Sequence, residues 1–225
     1  MKLSKVAVKR LALLALAIVA WLLPALPAAA APPQAGRAAA LAALKKTDAG
    51  ERRRGAARLA KLGTTEDVPA LLAALHDADA RVRATVESSL WAVWSRSGEA
   101  RVDALFGRGV AQMNAGRLAE AAATFTRVIE GKPEFAEGWN KRATAYFLAG
   151  KFEQSLKDCD EVIKRNPQHF GALSGYGQIY LELDEPEKAL DYFRRALAIN
   201  PNRDGVQDLV EQLETLMTQR LRRSI

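Results

Sequence analysis

The sequence predicts an all-α protein, folded as a right-handed solenoid of stacked helical pairs. Three prolines, Pro133, Pro167 and Pro201, follow one another at intervals of 34 residues. Small residues, turn formers and apolar side chains recur in step with these prolines, as expected for a repeated helical pair. A helical spacing of apolar residues also precedes the repeats, over residues 38–97, and follows them, over residues 203–221.

Residues 1–30 have the pattern of a bacterial secretory signal peptide. Four cations precede an apolar stretch of 16 residues, 11–26. Small residues at Ala28 and Ala30 suit a signal peptidase, so we expect cleavage after Ala30. An uncleaved membrane anchor is the alternative, although the stretch is short for spanning a bilayer. We therefore expect a periplasmic or secreted protein.

Removal of this segment changes the charge of the protein. The whole chain carries +7, but residues 1–30 contribute four positive charges and no negative ones, so the remaining 195 residues carry +3. A charge of this size gives no reason to expect a nucleic acid as partner.

We expect residues 31–37 to form a short flexible lead. Residues 38–98 are rich in alanine and leucine. Candidate helices cover residues 36–46, 50–62, 66–76 and 79–96. Thr65, followed by two acidic residues, is the expected N-cap of the third of these helices.

A short motif distinguishes this segment from the repeats that follow. Asp77 and Asp79 precede Val82 and Arg83, so an aspartate can cap a helix while valine enters the core and arginine stays at the surface. The motif resembles a HEAT-like repeat, which implies pairs of antiparallel helices. Trp91 and Trp94 lie three residues apart, near the junction with the first 34-residue unit, and we expect them to pack in the core between the two types of repeat rather than to form an exposed anchor. Such packing predicts one continuous superhelix, and its absence predicts a hinge at residues 95–100.

The 34-residue units, 102–135, 136–169 and 170–201, alternate small and large residues. Small residues stand where two helix axes must approach, and large apolar ones fill the space beside them. Turn formers end the first helix of each unit. The small positions are Gly109, Ala143, Gly177, Ala121, Ser155 and Ala189; the turn formers are Gly116, Gly150 and Asp184; and the apolar fillers are Phe125, Cys159 and Phe193.

This constellation resembles the tetratricopeptide repeat (TPR). Unit two, with Trp139 and Tyr146, matches the family pattern well, whereas unit one has Leu105 in place of tryptophan and Gln112 in place of tyrosine. The resemblance implies a helix–turn–helix solenoid and a role in binding proteins. Residues 202–225 resemble the usual capping helix, with a basic end that complements the helix dipole.

In the TPR family the concave face is built mainly by the first helix of each unit. The resemblance therefore implies a partner-binding groove, suited to an extended peptide or a partner helix. Its expected residues are Phe106, Val110, Met113, Asn114, Asn140, Thr144, Phe147, Leu148, Ser174, Gln178, Leu181 and Glu182. Some family members clamp a chaperone's C-terminal carboxylate with lysine, asparagine and arginine, but Phe106 and Val110 stand at the matching places of unit one.

No residue pattern indicates catalysis, a cofactor or a metal. The two histidines, His76 and His169, are far apart, and the single cysteine, Cys159, stands at an apolar repeat position where a buried, unreactive thiol is expected. We expect a non-enzymatic adaptor of the bacterial envelope that binds another envelope or secreted protein. The alternatives are a self-assembling structural protein and an accessory or maturation factor for a secreted enzyme.

Overall fold

The structure is a computed structural model that describes residues 33–223, and the predicted signal peptide, residues 1–30, lies outside this range. Residues Gly36–Ile225 form one compact unit. The described residues form eleven α-helices and no strand. The helices are α1 (Pro33–Ala43), α2 (Ala49–Leu62), α3 (Val68–Ala74), α4 (Ala80–Trp94), α5 (Ala100–Asn114), α6 (Leu118–Gly131), α7 (Ala136–Leu148), α8 (Phe152–Arg165), α9 (Phe170–Glu182), α10 (Pro186–Ile199) and α11 (Asp204–Arg223).

Side-chain caps begin the helices of the N-terminal segment. Asp48 accepts a hydrogen bond from the Glu51 amide at 2.7 Å, and Asp79 caps α4 as the sequence predicts. The prediction of Thr65 as a cap is wrong. Thr64 and Asp67 instead form a reciprocal capping box around a short 3-10 turn that precedes α3, because the turn takes up the first residues of the expected helix.

Helices α2 and α4 pack closely through small residues. The Ser89 hydroxyl on α4 donates a hydrogen bond to the Ala56 carbonyl at 2.9 Å. On the other side of α2, a Cβ at Gly55 would stand 2.8 Å from the carbonyl oxygen of Ala40 on α1. The absence of a side chain at Gly55 therefore sets how near α1 can lie to α2.

The three helical pairs α5–α6, α7–α8 and α9–α10 correspond to the predicted units. A Cβ at Gly109 would lie 2.6 Å from the Phe125 ring, and one at Gly177 would lie 2.4 Å from the Phe193 ring. The predicted pairing of a small residue with a large filler is therefore confirmed as direct contact between the two helices of a unit.

Left-handed backbone ends the first helix of every unit. Gly116 and Gly150 have φ angles of +73° and +70°, and Asp184 adopts +56°, the only positive φ of a non-glycine residue within 33–223. The three predicted turn formers thus share one conformation, which aspartate tolerates better than most residues.

Helix α11 follows the third unit and packs on it through Val206 and Leu213, both buried. Its opposite face is polar and exposed, as expected for a capping helix. Between residues 33 and 223 there is no helix with the length and hydropathy needed to span a membrane.

Candidate functional site

The twelve predicted groove residues lie on α5, α7 and α9, but one row of them is buried. Phe106, Asn140 and Ser174 occupy equivalent repeat positions and are 7%, 7% and 4% exposed. The Phe106 ring packs against Phe135, with ring centroids 5.3 Å apart. The Asn140 amide donates to Glu137 at 3.1 Å. A partner therefore has little access to these three side chains.

The other nine predicted residues are half-buried or exposed. Met113, Phe147 and Leu181 share one repeat position, and each is half-buried against its own unit while keeping part of its surface open. Leu148 is 54% exposed, which is unusual for a leucine beside other apolar side chains. The accessible positions of the groove are Val110, Met113, Asn114, Thr144, Phe147, Leu148, Gln178, Leu181 and Glu182.

Helix α4 packs against the beginning of the third unit. The Trp91 ring lies 5.3 Å from the Phe170 ring, and a Cβ at Gly171 would stand 2.3 Å from the outer edge of the indole. The Lys141 ammonium on α7 lies 5.7 Å from the centroid of the same indole. Trp91 therefore sits between α7 and α9, where it covers the first turns of two groove-forming helices.

Trp94 also contacts this region, and the expected packing of the two tryptophans between the N-terminal segment and the repeats is present. Their partners are His169 and Phe170, where the second unit ends and the third begins. That the segment and the repeats form one continuous superhelix stays a prediction.

His169 and Glu137 form a buried polar pair beneath Trp94. His169 caps α9, and its Nδ1 accepts a hydrogen bond from the Ala172 amide at 3.0 Å. Nδ1 is therefore unprotonated, and Nε2 carries the proton that it donates to Glu137 Oε2 at 3.0 Å. The ring is thus a neutral donor that links the start of α9 to the start of α7.

The pKa of Glu137 reflects opposing influences. Burial raises the pKa of Glu137, because the side chain is only 1% exposed. The hydrogen bond from His169 and the charge of Lys141 lower the pKa by more than burial raises it. The net pKa of Glu137 lies below its ordinary value. The Lys141 ammonium lies 3.1 Å from Oε1 as an ion-pair partner, without the alignment of a hydrogen bond. The carboxylate therefore stays ionised in the interior.

The N-terminal segment also reaches the turns that follow the second and third units. Asn202, one residue after the last repeat proline, donates to the Leu75 carbonyl at 2.7 Å and accepts from Arg83 at 2.6 Å. The next residue, Arg203, pairs with Glu87 on α4 at 3.2 Å. The segment is therefore held along the edge that carries the inter-unit turns.

A cleft of about 480 Å³ opens where the N-terminal segment meets the turns that follow units one and two. Trp94 and Phe135 give it apolar walls, and Lys132 at its rim pairs with Glu99 at 2.7 Å. Sequence reasoning placed no site here, since Glu137 and Lys141 carry no motif.

The described residues hold neither a cluster of metal ligands nor an ionised thiol. Between residues 33 and 223 no three His, Cys, Asp or Glu side chains come together as a metal site. Burial, followed by the neighbouring carboxylates Asp158 and Asp160, raises the pKa of Cys159 to about 12, so this cysteine remains a thiol. His169, the buried histidine, serves as a cap and a packing partner.

Stacked helical pairs, closed at one end by a polar-faced helix, define an α-helical repeat protein. A sequence model of the tetratricopeptide repeat matches residues 75–136 and 140–204. These two ranges cover more than half of the chain, which belongs to the tetratricopeptide repeat family. The match extends back over α4, so the HEAT-like character of residues 38–98 stays a prediction.

Several curated proteins resemble the repeat region. A TPR repeat-containing protein of Rhizobium etli is 32% identical over 120 residues, which cover 53% of this chain and 59% of that protein. The Hsp70-Hsp90 organizing protein 1 of Glycine max is 30% identical over 98 residues, covering 42% of this chain and 17% of its own length. The chain thus spans less than two thirds of these relatives.

Solved structures show the same fold. The Sgt2 TPR domain from Aspergillus fumigatus superposes with a TM-score of 0.52 at 19% identity, over 55% of this chain and 83% of that one. The first TPR domain of RPAP3, bound to an HSP90 peptide, superposes with a TM-score of 0.50 at 23% identity, over 52% of this chain and 93% of that one. The helical-repeat fold is therefore established from both sequence and structure.

Proposed function

We propose that this TPR protein is a non-enzymatic adaptor that holds a peptide or a helix of a partner protein in the accessible part of its groove. The observation that carries the proposal is the open row on α7 and α9. There, Leu148 is 54% exposed beside the half-buried Phe147 and Leu181. Exposed apolar side chains grouped on a concave face favour an amphipathic ligand.

Polar groove residues suit the same ligand. Thr144 and Gln178 offer short hydrogen-bonding side chains among the apolar ones, and Asn114 and Glu182 are exposed at the ends of α5 and α9. An extended peptide can use such groups for its main chain while its apolar side chains fill the spaces between helices.

The place of action is part of the proposal. Four cations, an uncharged apolar stretch and alanines at the expected cleavage positions favour export, so the partner is another envelope or secreted protein. This part rests on the sequence of residues 1–30 and does not depend on the groove.

A chaperone C-terminal peptide, such as the HSP90 peptide bound to RPAP3, is not the ligand that the groove favours. Phe106 is buried, Val110 carries no polar group, and Trp91 covers the first turn of α9. A carboxylate entering there would lose hydration without gaining the donors that it needs.

Capture of partners from an envelope extract tests the groove. Leu148→Glu combined with Gln178→Ala changes two exposed groove positions, and Leu216→Glu is the matched control because Leu216 is 39% exposed on α11, outside the groove. We expect the groove variant to lose partners that the wild type and the control retain. If all three proteins capture the same partners, the groove is not the binding site.

Self-association is a second candidate, supported by one further surface. A mostly apolar cleft of about 690 Å³ lies between α1 and α3, lined by Leu41, Leu44 and three alanines on α3. A second copy could bury this edge. Light scattering tests the idea by measuring the mass of the protein in solution. A monomeric mass at roughly tens of micromolar, unchanged on dilution, contradicts self-association.

A further inference from the structure

The positive charge of the protein is concentrated in its first two described helices. Residues 36–63 contain eight Lys or Arg and two Asp or Glu, a net charge of +6. The whole chain carries +7 and residues 1–30 carry +4, so residues 64–225 carry −3. Residues 64–225 are therefore mildly acidic, and α1–α2 with the turn between them accounts for the entire positive balance after residue 30.

The cations of α2 divide into two groups by the face on which they lie. The buried face carries Gly55, Ala56 and Leu59. The opposite face carries four exposed cations. The other exposed residue between them on this face is Ala57, so these five positions include no carboxylate. We call this face the basic ridge; it consists of Arg53, Arg54, Arg58 and Lys61.

Cations that point inward from the same segment are paired. Arg52 makes two hydrogen bonds to Asp77, at 2.6 and 2.8 Å, and Arg37 contacts Glu66 and Asp67, each at 2.7 Å. These pairs hold the helices of the segment together. They use Asp77, Glu66 and Asp67, so the carboxylates left beside the ridge are the exposed Asp48 and Glu51 at the start of α2.

The basic ridge lacks such partners. Among the residues that the structure describes, Arg53, Arg58 and Lys61 have no carboxylate within ion-pair distance, and Arg54 has a loose, exposed contact with Asp48 at 3.9 Å. Lys45 and Lys46 add two exposed cations at the turn before α2. Six exposed cations thus lie on α2 and the turn before it, and their mutual repulsion favours an anionic partner.

We propose that the basic ridge docks on an anionic lipid surface. The ridge is a helix face of four long, exposed cationic side chains around one alanine, so charge and not apolar surface dominates it. Such a row of cations suits the headgroups of a bilayer, where each Lys or Arg adds attraction without a fixed geometry. Export through a bilayer, proposed above, would bring the ridge to such a surface.

Vesicle flotation tests the proposal on a chain that begins at Ala31 and keeps the whole compact unit Gly36–Ile225. The probes are vesicles of phosphatidylcholine alone and of phosphatidylcholine mixed with phosphatidylglycerol. We expect binding to the anionic vesicles only, weakened by sodium chloride. Replacing the four ridge cations with glutamine should lower binding by roughly tenfold or more, because each cation contributes separately.

The matched control replaces four exposed cations of the repeats with glutamine, namely Arg101, Arg108, Arg127 and Lys157. The control has the same net charge as the ridge variant, and we expect it to bind like the wild type. Equal loss in both variants, or no binding by the wild type, overturns the proposal. Binding of a polyglutamate peptide without vesicle binding also overturns it, since the ridge would then serve an acidic protein. None of these outcomes depends on the groove or on export.

Discussion

Trp94 stacks on His169, with the ring centroids 4.6 Å apart and the planes inclined by 21°. The indole belongs to the N-terminal segment, and the imidazole caps the first helix of the third repeat unit. Because His169 also donates to Glu137 on α7, one ring connects the segment to two successive units. This contact decides where the segment lies on the repeats.

Replacing Trp94 with alanine should therefore destabilise the protein. The side chain is 7% exposed, stacks on His169 and packs against Phe170, so its removal leaves a cavity and should cost about 3 kcal/mol in the free energy of unfolding. Urea unfolding followed by circular dichroism measures the change. Leu216→Ala, at an exposed position, should cost no more than about 0.5 kcal/mol. Equal effects of the two substitutions would show that the tryptophan contact adds little.

Two glycines of α9 provide a sharper test of the same interface. A Cβ at Gly171 would stand 2.3 Å from Trp91, whereas at Gly175 the nearest atom, Cys159 Sγ, would be 3.8 Å away. Gly171→Ala should push the indole aside and cost about 1–3 kcal/mol. Gly175→Ala should stabilise the protein by up to about 1 kcal/mol, because alanine favours the helix. Thermal unfolding compares them, and a stabilising Gly171→Ala would mean that α4 does not pack there.

The buried carboxylate makes the stability depend on pH. The pKa of folded Glu137 lies below its ordinary value of 4.5, so its contribution is present above about pH 4.5 and is lost as the pH falls through the folded pKa. Glu137→Gln should therefore lower the free energy of unfolding by about 1–3 kcal/mol at neutral pH, and by progressively less as the pH falls. Urea unfolding over this pH range measures the difference, with Glu153→Gln, an exposed change on α8, as control. A cost that is constant with pH contradicts the assignment of an ionised Glu137.

Unit two replaces the glycine–phenylalanine contact of its neighbours with Ala143 and Cys159. A Cβ at Gly109 or Gly177 would overlap the phenylalanine of the same unit, so a phenylalanine at 159 should overlap the Cβ of Ala143. Cys159→Phe alone should cost about 1–3 kcal/mol.

Adding Ala143→Gly should recover part of that loss. The two changes together restore the pairing seen in units one and three, so we expect a favourable coupling of about 1 kcal/mol or more in a double-mutant cycle. Urea unfolding of the four proteins gives the coupling. Strict additivity would mean that position 159 does not face position 143 as the repeat implies.

Much of the fold could be predicted because the repeat acts locally. The residue types at three positions predict left-handed turns, and the structure has all three, at Gly116, Gly150 and Asp184. The glycine–phenylalanine contacts of units one and three follow from spacing within a single helical pair. Such features involve neighbours within one unit, so a period in the sequence is enough to reveal them.

The groove could be predicted only in part. Its helices follow from the repeat, and Leu148 and Phe147 lie at accessible positions as the family pattern implies. The burial of Asn140 and Ser174 could not be foreseen, because the family pattern places both on the groove side; in the structure the Asn140 amide donates to the buried Glu137 instead.

The sequence alone determined the helices, their turns and the pairing within each unit, since these depend on interactions between residues close in the chain. Only the tertiary structure decided that the N-terminal segment packs on the third unit through Trp91 and Trp94. The physical reason is that this contact joins the tryptophan face of α4 to residues at the start of α9 that the other units do not repeat. Its energy comes from the fit of two indoles against His169, Phe170 and the bare backbone of Gly171, and no periodicity encodes such a fit.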